Sequence, residues 1–117
     1  MSVTLYGIKN CDTMKKARAW LDAHGIAYLF HDYKIAGLPP ARLDAWIAAK
    51  GWEVVLNRAG TTFRGLPEAD KQGLDASRAR ALMLAAPSLV KRPVLEAGDT
   101  ITIGFRPDIY EGVFAKS

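Results

Sequence analysis

Cysteine is almost absent from this chain: Cys11 is the only one in 117 residues. No intramolecular disulfide can form and no Cys-rich zinc site can be assembled, so a secreted disulfide scaffold is excluded. Long hydrophobic runs are missing too. The stretch Ala79 to Pro87 is broken by Arg80 and falls far short of the ~20 residues needed to span a bilayer. The segment Met1 to Tyr6 has neither a basic leader nor an apolar stretch ending in a small-residue cleavage site. No export signal and no membrane association are expected, and the expected compartment is the cytoplasm. Histidine is scarce: His24 and His31 are not spaced with other ligands, so no metal is expected. Neither sign of charge dominates, with 16 Lys plus Arg against 12 Asp plus Glu and a net charge of +4. The cations are spread along the chain instead of clustered on one predicted helix, which argues against nucleic acid as a partner.

What is present is a globular composition, 50% apolar and 24% charged, with four Phe, four Tyr and three Trp. Intrinsic disorder is excluded, and one domain over residues 1–117 is expected to bury roughly 65% of the unfolded chain's surface. Val3 and Leu5 alternate with Thr4 and Tyr6 as in a short strand that stops at Gly7. Met14, Ala17, Trp20 and Leu21 recur at helical spacing from about Asp12 to Ala23, with Asp12 or Thr13 as the cap and Gly25 as the stop. Ile26 to Tyr33 reads as a second strand, parallel to the first by the right-handed crossover rule. Leu43, Trp46 and Ile47 predict a helix from Pro39 or Pro40 to about Lys50, and the segment from Trp52 to Gly73 reads as loop and short helix. Asp75 is a plausible N-cap for a helix carrying Ala79, Leu82, Met83 and Ala86. Val94–Glu96 and Thr100–Ile103 flank a hairpin turn, and Pro107 opens a last helix with Ile109, Tyr110, Val113 and Phe114 inward. Trp20, Trp46 and Trp52 are expected in or against the core. The order β-α-β, helices, β-β-α gives an α/β fold with a mixed sheet.

Cys11 falls between a strand and a helix, where unpaired amides and the helix dipole favour thiolate over thiol. Lys9, Lys15 and Lys16 add positive charge nearby in sequence, and Asn10 and Thr13 are candidates for hydrogen bonds around the sulfur. Met14 stands three residues on, where a dithiol redox motif carries its second cysteine. The resolving thiol must therefore come from outside, and glutathione is the abundant cytosolic candidate. Arg58, Arg92 and Arg106 each lie at the edge of a predicted element, and three guanidinium forks converging on one anion would hold an oxyanion or a carboxylate.

Tyr6-Gly7-Ile8-Lys9-Asn10-Cys11-Asp12-Thr13, with Lys15-Lys16-Ala17 and Trp20-Leu21, resembles the opening of the arsenate reductase-like (ArsC/Spx) family, YffB-type branch. Leu56-Asn57-Arg58 through Phe63-Arg64, Lys91-Arg92-Pro93-Val94-Leu95 and Gly104-Phe105-Arg106-Pro107 resemble its later motifs. The resemblance implies a thioredoxin-like fold with a four-stranded mixed sheet and a helical insertion at about residues 36–88. It implies that Cys11 is the nucleophile, that Arg58, Arg92 and Arg106 bind the anion, that Arg64 contributes to substrate binding, and that Pro93 is the cis-proline beside the site. Two departures stand out. Gly7 occupies the position of a histidine of the arsenate reductases, and Asp12 replaces a glycine after the cysteine.

The function implied is a glutathione-dependent thiol reductase acting on a small oxyanion or an oxidised thiol, with no bound cofactor and with glutaredoxin as a candidate partner. Two of the arginines holding the glutathione carboxylates is an equal reading. The alternatives are a glutathione- and glutaredoxin-coupled arsenate reductase, and an Spx-like regulator that contacts RNA polymerase. Met14, where such regulators carry a second cysteine, disfavours a disulfide switch.

Overall fold

The alternation of Val3 and Leu5 with Thr4 and Tyr6 produces β1 (Val3–Gly7), and the helical spacing after it produces α1 (Asp12–Ala23). There follow β2 (Leu29–Asp32), α2 (Tyr33–Ala36), α3 (Pro40–Lys50), α4 (Trp52–Val55), α5 (Thr61–Arg64), α6 (Glu68–Lys71), α7 (Ala76–Ala85), a 3-10 turn at Pro87–Leu89, β3 (Val94–Ala97), β4 (Thr100–Ile103) and α8 (Pro107–Phe114). These are the elements of a computed structural model that describes residues 2–115. The chain divides into two compact units, residues 1–36 with 92–117, and residues 37–91.

The first unit holds the whole sheet, in the order β2-β1-β3-β4. β1 and β2 are parallel, while β3 is antiparallel to both β1 and β4. Val3 and Leu5 of β1 and Leu95 and Ala97 of β3 face Met14, Ala17 and Leu21 of α1, and Tyr110 of α8 closes the cluster. An isolated helix of α1's length is marginal in water, so this apolar stripe, at about 1.5–3 kcal/mol per fully buried large side chain, holds it in place. On the other face of the sheet the Tyr6 hydroxyl donates to Glu96 Oε1 at 3.0 Å.

The second strand is shorter than the Ile26–Tyr33 run predicts, for a reason at each end. Gly25, with φ of +66°, ends α1 in a Schellman turn in which the Gly25 amide donates to Asp22 O and the Ile26 amide to Leu21 O. Ile26 is thereby committed to the cap and packs against the core instead of pairing. At the far end Asp32 Oδ1 accepts from the Lys34 amide at 2.9 Å, which turns Tyr33 into α2. In α8, Tyr110 is fully buried and Val113 and Phe114 pack on the core, but Ile109 is 44% exposed, contrary to the inward expectation. The helix is only eight residues long and its buried stripe is too narrow to include position 109.

In the second unit Leu43 and Trp46 of α3 and Ala79 and Met83 of α7 are buried, together with Val55, Leu56, Leu89 and Val90. The Asp75 side chain caps α7 as its type predicts, accepting from the Arg78 amide at 2.8 Å. The Trp52–Gly73 segment resolves into the three single-turn helices α4, α5 and α6. A pair of backbone bonds, Asn57 N to Leu89 O and Lys91 N to Val55 O, both 2.8 Å, ties the segment around Leu56 to that around Val90.

Gly7 is closely approached by the Met14 side chain. A Cβ there would collide with Met14 Sδ and stand 2.8 Å from Met14 Cε, and Met14 is fully buried. Gly7→Ala is therefore expected to cost about 1–2 kcal/mol in urea unfolding through overpacking. In a Met14→Ala background the same change should cost less than half as much; a neutral Gly7→Ala, or equal costs in both backgrounds, contradicts this packing account.

Candidate active site

The loop from Ile8 to Asn10 carries the chain from β1 to α1, and Cys11 itself, not Asp12 or Thr13, is the N-cap residue. Its backbone is extended, with φ of −133° and ψ of 131°, and its carbonyl accepts the first helical bond from the Lys15 amide at 2.9 Å. At this position the side chain looks onto the two amides that an N-cap normally satisfies, those of Thr13 and Met14. The sulfur makes no cap hydrogen bond of regular geometry, a short oxygen being better suited to that than a larger, softer atom. The amides are nonetheless near enough to act on it electrostatically. Cys11 is half-buried and packs against the core cluster.

Burial pushes the Cys11 thiol up, but the Met14 amide, the Arg92 guanidinium and the Thr13 amide together outweigh it and hold the thiol below its ordinary range. Arg92 reaches this place because it ends the loop into β3, the strand next to β1. The Arg92–Pro93 peptide is cis. Arg92 is half-buried and Pro93 buried. The Arg92 charge also acts on Tyr33, 5% exposed, whose phenol is raised above its ordinary range by burial first and by Tyr6 second, against the opposing charge of Arg92. Tyr33 therefore stays neutral beside the cation.

The remaining candidates are distributed as follows. Arg106 is the residue before α8, is exposed, and its Nη2 donates to Asp108 Oδ2 at 3.0 Å. Lys9 and Asn10 are exposed, and Lys9 lines a cleft with Arg18, Phe30 and His31, whereas Thr13 serves the sulfur through its amide. Arg58 and Arg64 belong to the second unit and both are exposed. The Arg58 guanidinium lies 5.6 Å from the Trp52 ring centre, and Arg64 Nη2 donates to Ala59 O at 2.7 Å. Sequence reasoning missed Asp108, Tyr33 and the approach of Arg58 to the Trp52 ring. Only Asp108 left a readable signal, an acid two residues after Arg106 at the start of a helix. Among the described residues no group of three or more His, Cys, Asp or Glu side chains gathers, and no helix is long and apolar enough to cross a membrane.

The ArsC family model matches residues 6–113. A solved structure of a YffB protein is 58% identical, covering 95% of this chain and 97% of that one, with a TM-score of 0.93. A solution structure of an arsenate reductase (ArsC) related protein from Brucella melitensis is 60% identical over 97% of this chain and 95% of that one, with a TM-score of 0.77. An uncharacterized protein of Haemophilus influenzae is 41% identical over 97% of this chain and 99% of its own length. Proteins named global transcriptional regulator Spx are more distant, at 29% identity for that of Streptococcus mutans. With a sheet of the expected order, a cysteine capping the first helix and a family match over nearly the whole length, the chain belongs to the arsenate reductase-like ArsC family and has its thioredoxin-like fold.

Proposed function

We propose that this protein is a glutathione-dependent thiol reductase with Cys11 as its nucleophile. The observation that carries the reading is the position of the Cys11 sulfur, at the start of α1 beside Arg92, where its thiolate is favoured. A second thiol is not available in the chain, so the cycle needs an external one. In the proposed cycle the Cys11 thiolate attacks the glutathionyl sulfur of a mixed disulfide R–S–S–G. The old S–S bond breaks, R–S⁻ leaves and takes a proton, and Cys11–S–S–G forms. A glutathione thiolate then attacks the glutathionyl sulfur of that adduct, releasing oxidised glutathione and restoring the Cys11 thiolate. The sum is R–S–S–G plus glutathione giving R–SH plus oxidised glutathione, with two electrons passing to the R sulfur. Arg92 stabilises the thiolate at both ends of the cycle, and Arg92 and Arg106 hold the anionic groups of the glutathionyl moiety. For Arg58, Arg64 and Arg106 an anion-binding role rests on the family resemblance alone, and for glutaredoxin as a partner likewise.

The test combines trapping and titration. Incubation with oxidised glutathione is expected to give one glutathionyl adduct per chain by mass spectrometry, and alkylation rates are expected to follow a thiol titrating below the free-cysteine value of about 8.5. Arg92→Gln should shift the alkylation profile to higher pH. An ordinary thiol titration together with no adduct overturns the reading.

A further inference from the structure

The ion pair of Arg106 with Asp108 bears on how anions are selected, an inference that rests on the function proposed above. Arg106 precedes α8, and Asp108 is the second residue of that helix, where the unpaired amides and helix dipole favour a carboxylate. Arg106 Nη2 to Asp108 Oδ2 is 3.0 Å, and the two side chains are 72% and 63% exposed. Arg106 is thus held by a carboxylate two residues away on its own chain. An incoming carboxylate or oxyanion must either replace Asp108 or share the guanidinium with it. We infer that Asp108 is a specificity-determining residue that competes with anionic substrates for Arg106 and so sets how strongly the site prefers them over neutral ones. Because the pair is solvent-exposed, Asp108 is held weakly enough for an incoming anion to displace it.

The readout is a ratio of rate constants for Cys11: reaction with oxidised glutathione, which carries carboxylates, divided by reaction with hydroxyethyl disulfide, which is neutral. The ratio cancels changes in the intrinsic reactivity of the thiol. Asp108→Asn is expected to raise it about two- to fivefold, the range of an exposed ion pair, while Asp108→Glu, which restores the charge, returns it toward the wild-type value. Arg106→Ala is expected to lower the ratio, and in that background Asp108→Asn should have no further effect. If the ratio rises equally with and without Arg106, Asp108 acts as a general surface charge and the inference is overturned. It is also overturned if Asp108→Asn leaves the ratio unchanged while Arg106→Ala lowers it. If Arg106→Ala itself changes nothing, Arg106 does not hold the anion, and both this inference and that part of the proposed site fall. The nucleophilic role of Cys11 is read separately, from adduct formation.

Discussion

Replacing Cys11 with serine is expected to abolish both the glutathionyl adduct and reduction of glutathionylated substrates in an NADPH assay coupled through glutathione reductase, leaving the uncatalysed rate. Cys11 is the only sulfhydryl in the chain, so no neighbour can substitute for it. The serine hydroxyl occupies the same N-cap position and is the better helix cap, so fold stability should stay within about 1 kcal/mol. What disappears is the charge-holding chemistry. The Thr13 and Met14 amides and Arg92 favour a thiolate against its burial, but a hydroxyl does not ionise near neutral pH. The thiol also leaves a mark on stability. A group whose pKa is depressed by folding stabilises the fold once pH rises above its unfolded value, and the gain is lost as pH falls through the folded one. Wild-type protein should therefore gain stability relative to Cys11→Ser on passing from pH 6 to pH 9. Residual turnover in the serine variant above the blank would sink the single-thiol cycle.

Tyr110 should give the largest stability effect. It is fully buried, with its ring edge-on to Trp20 at 5.5 Å and to Phe105 at 4.8 Å between centres. Tyr110→Ala is expected to destabilise by about 3–5 kcal/mol, a fall of roughly 10–20 °C in Tm, because a large aromatic leaves a cavity where α8 meets α1. Tyr110→Phe keeps the ring and removes a buried hydroxyl that makes no hydrogen bond among the described residues, so it should be neutral or stabilising by up to about 1 kcal/mol. Burial raises the Tyr110 phenol above its ordinary range. Its stabilising contribution is thus complete below the unfolded value of about 10 and declines above it as the unfolded chain ionises, at ~1.4 kcal/mol per pH unit. Urea unfolding at pH 7 and pH 11 checks both points: Tyr110→Phe should lose less stability than wild type across that interval. A Phe variant as damaged as the Ala variant would show that the hydroxyl has a partner on which the core depends.

The elements that local chemistry encodes were readable from the chain alone. β1 and α1 follow from apolar spacing of 2 and 3.6, and α7 begins after an Asp that does what an N-cap Asp does. The hairpin and the proline-opened last helix are likewise written within a few residues. The placement of Cys11 between strand and helix came with them, since only the chain order of two neighbouring elements was needed. The limits of β2 were not readable, because Ile26 can pair in a sheet or complete a Schellman turn, and the choice depends on Gly25 closing the end of α1 against the core.

Cys11 meets Arg92 only because β3 inserts next to β1, and no local period records the pairing of strands so far apart in sequence. The partner of Arg106 was also invisible as a contact, although Asp108 is two residues away, since a side chain's rotamer is set by what surrounds it. From one cysteine and a modest excess of positive charge, the sequence by itself determined that any disulfide chemistry must borrow a second thiol. The tertiary structure decided which cation stands beside that thiol, because Cys11 and Arg92 act on one another only once β3 lies against β1, while the rotamers of near neighbours decided that Arg106 is held by Asp108.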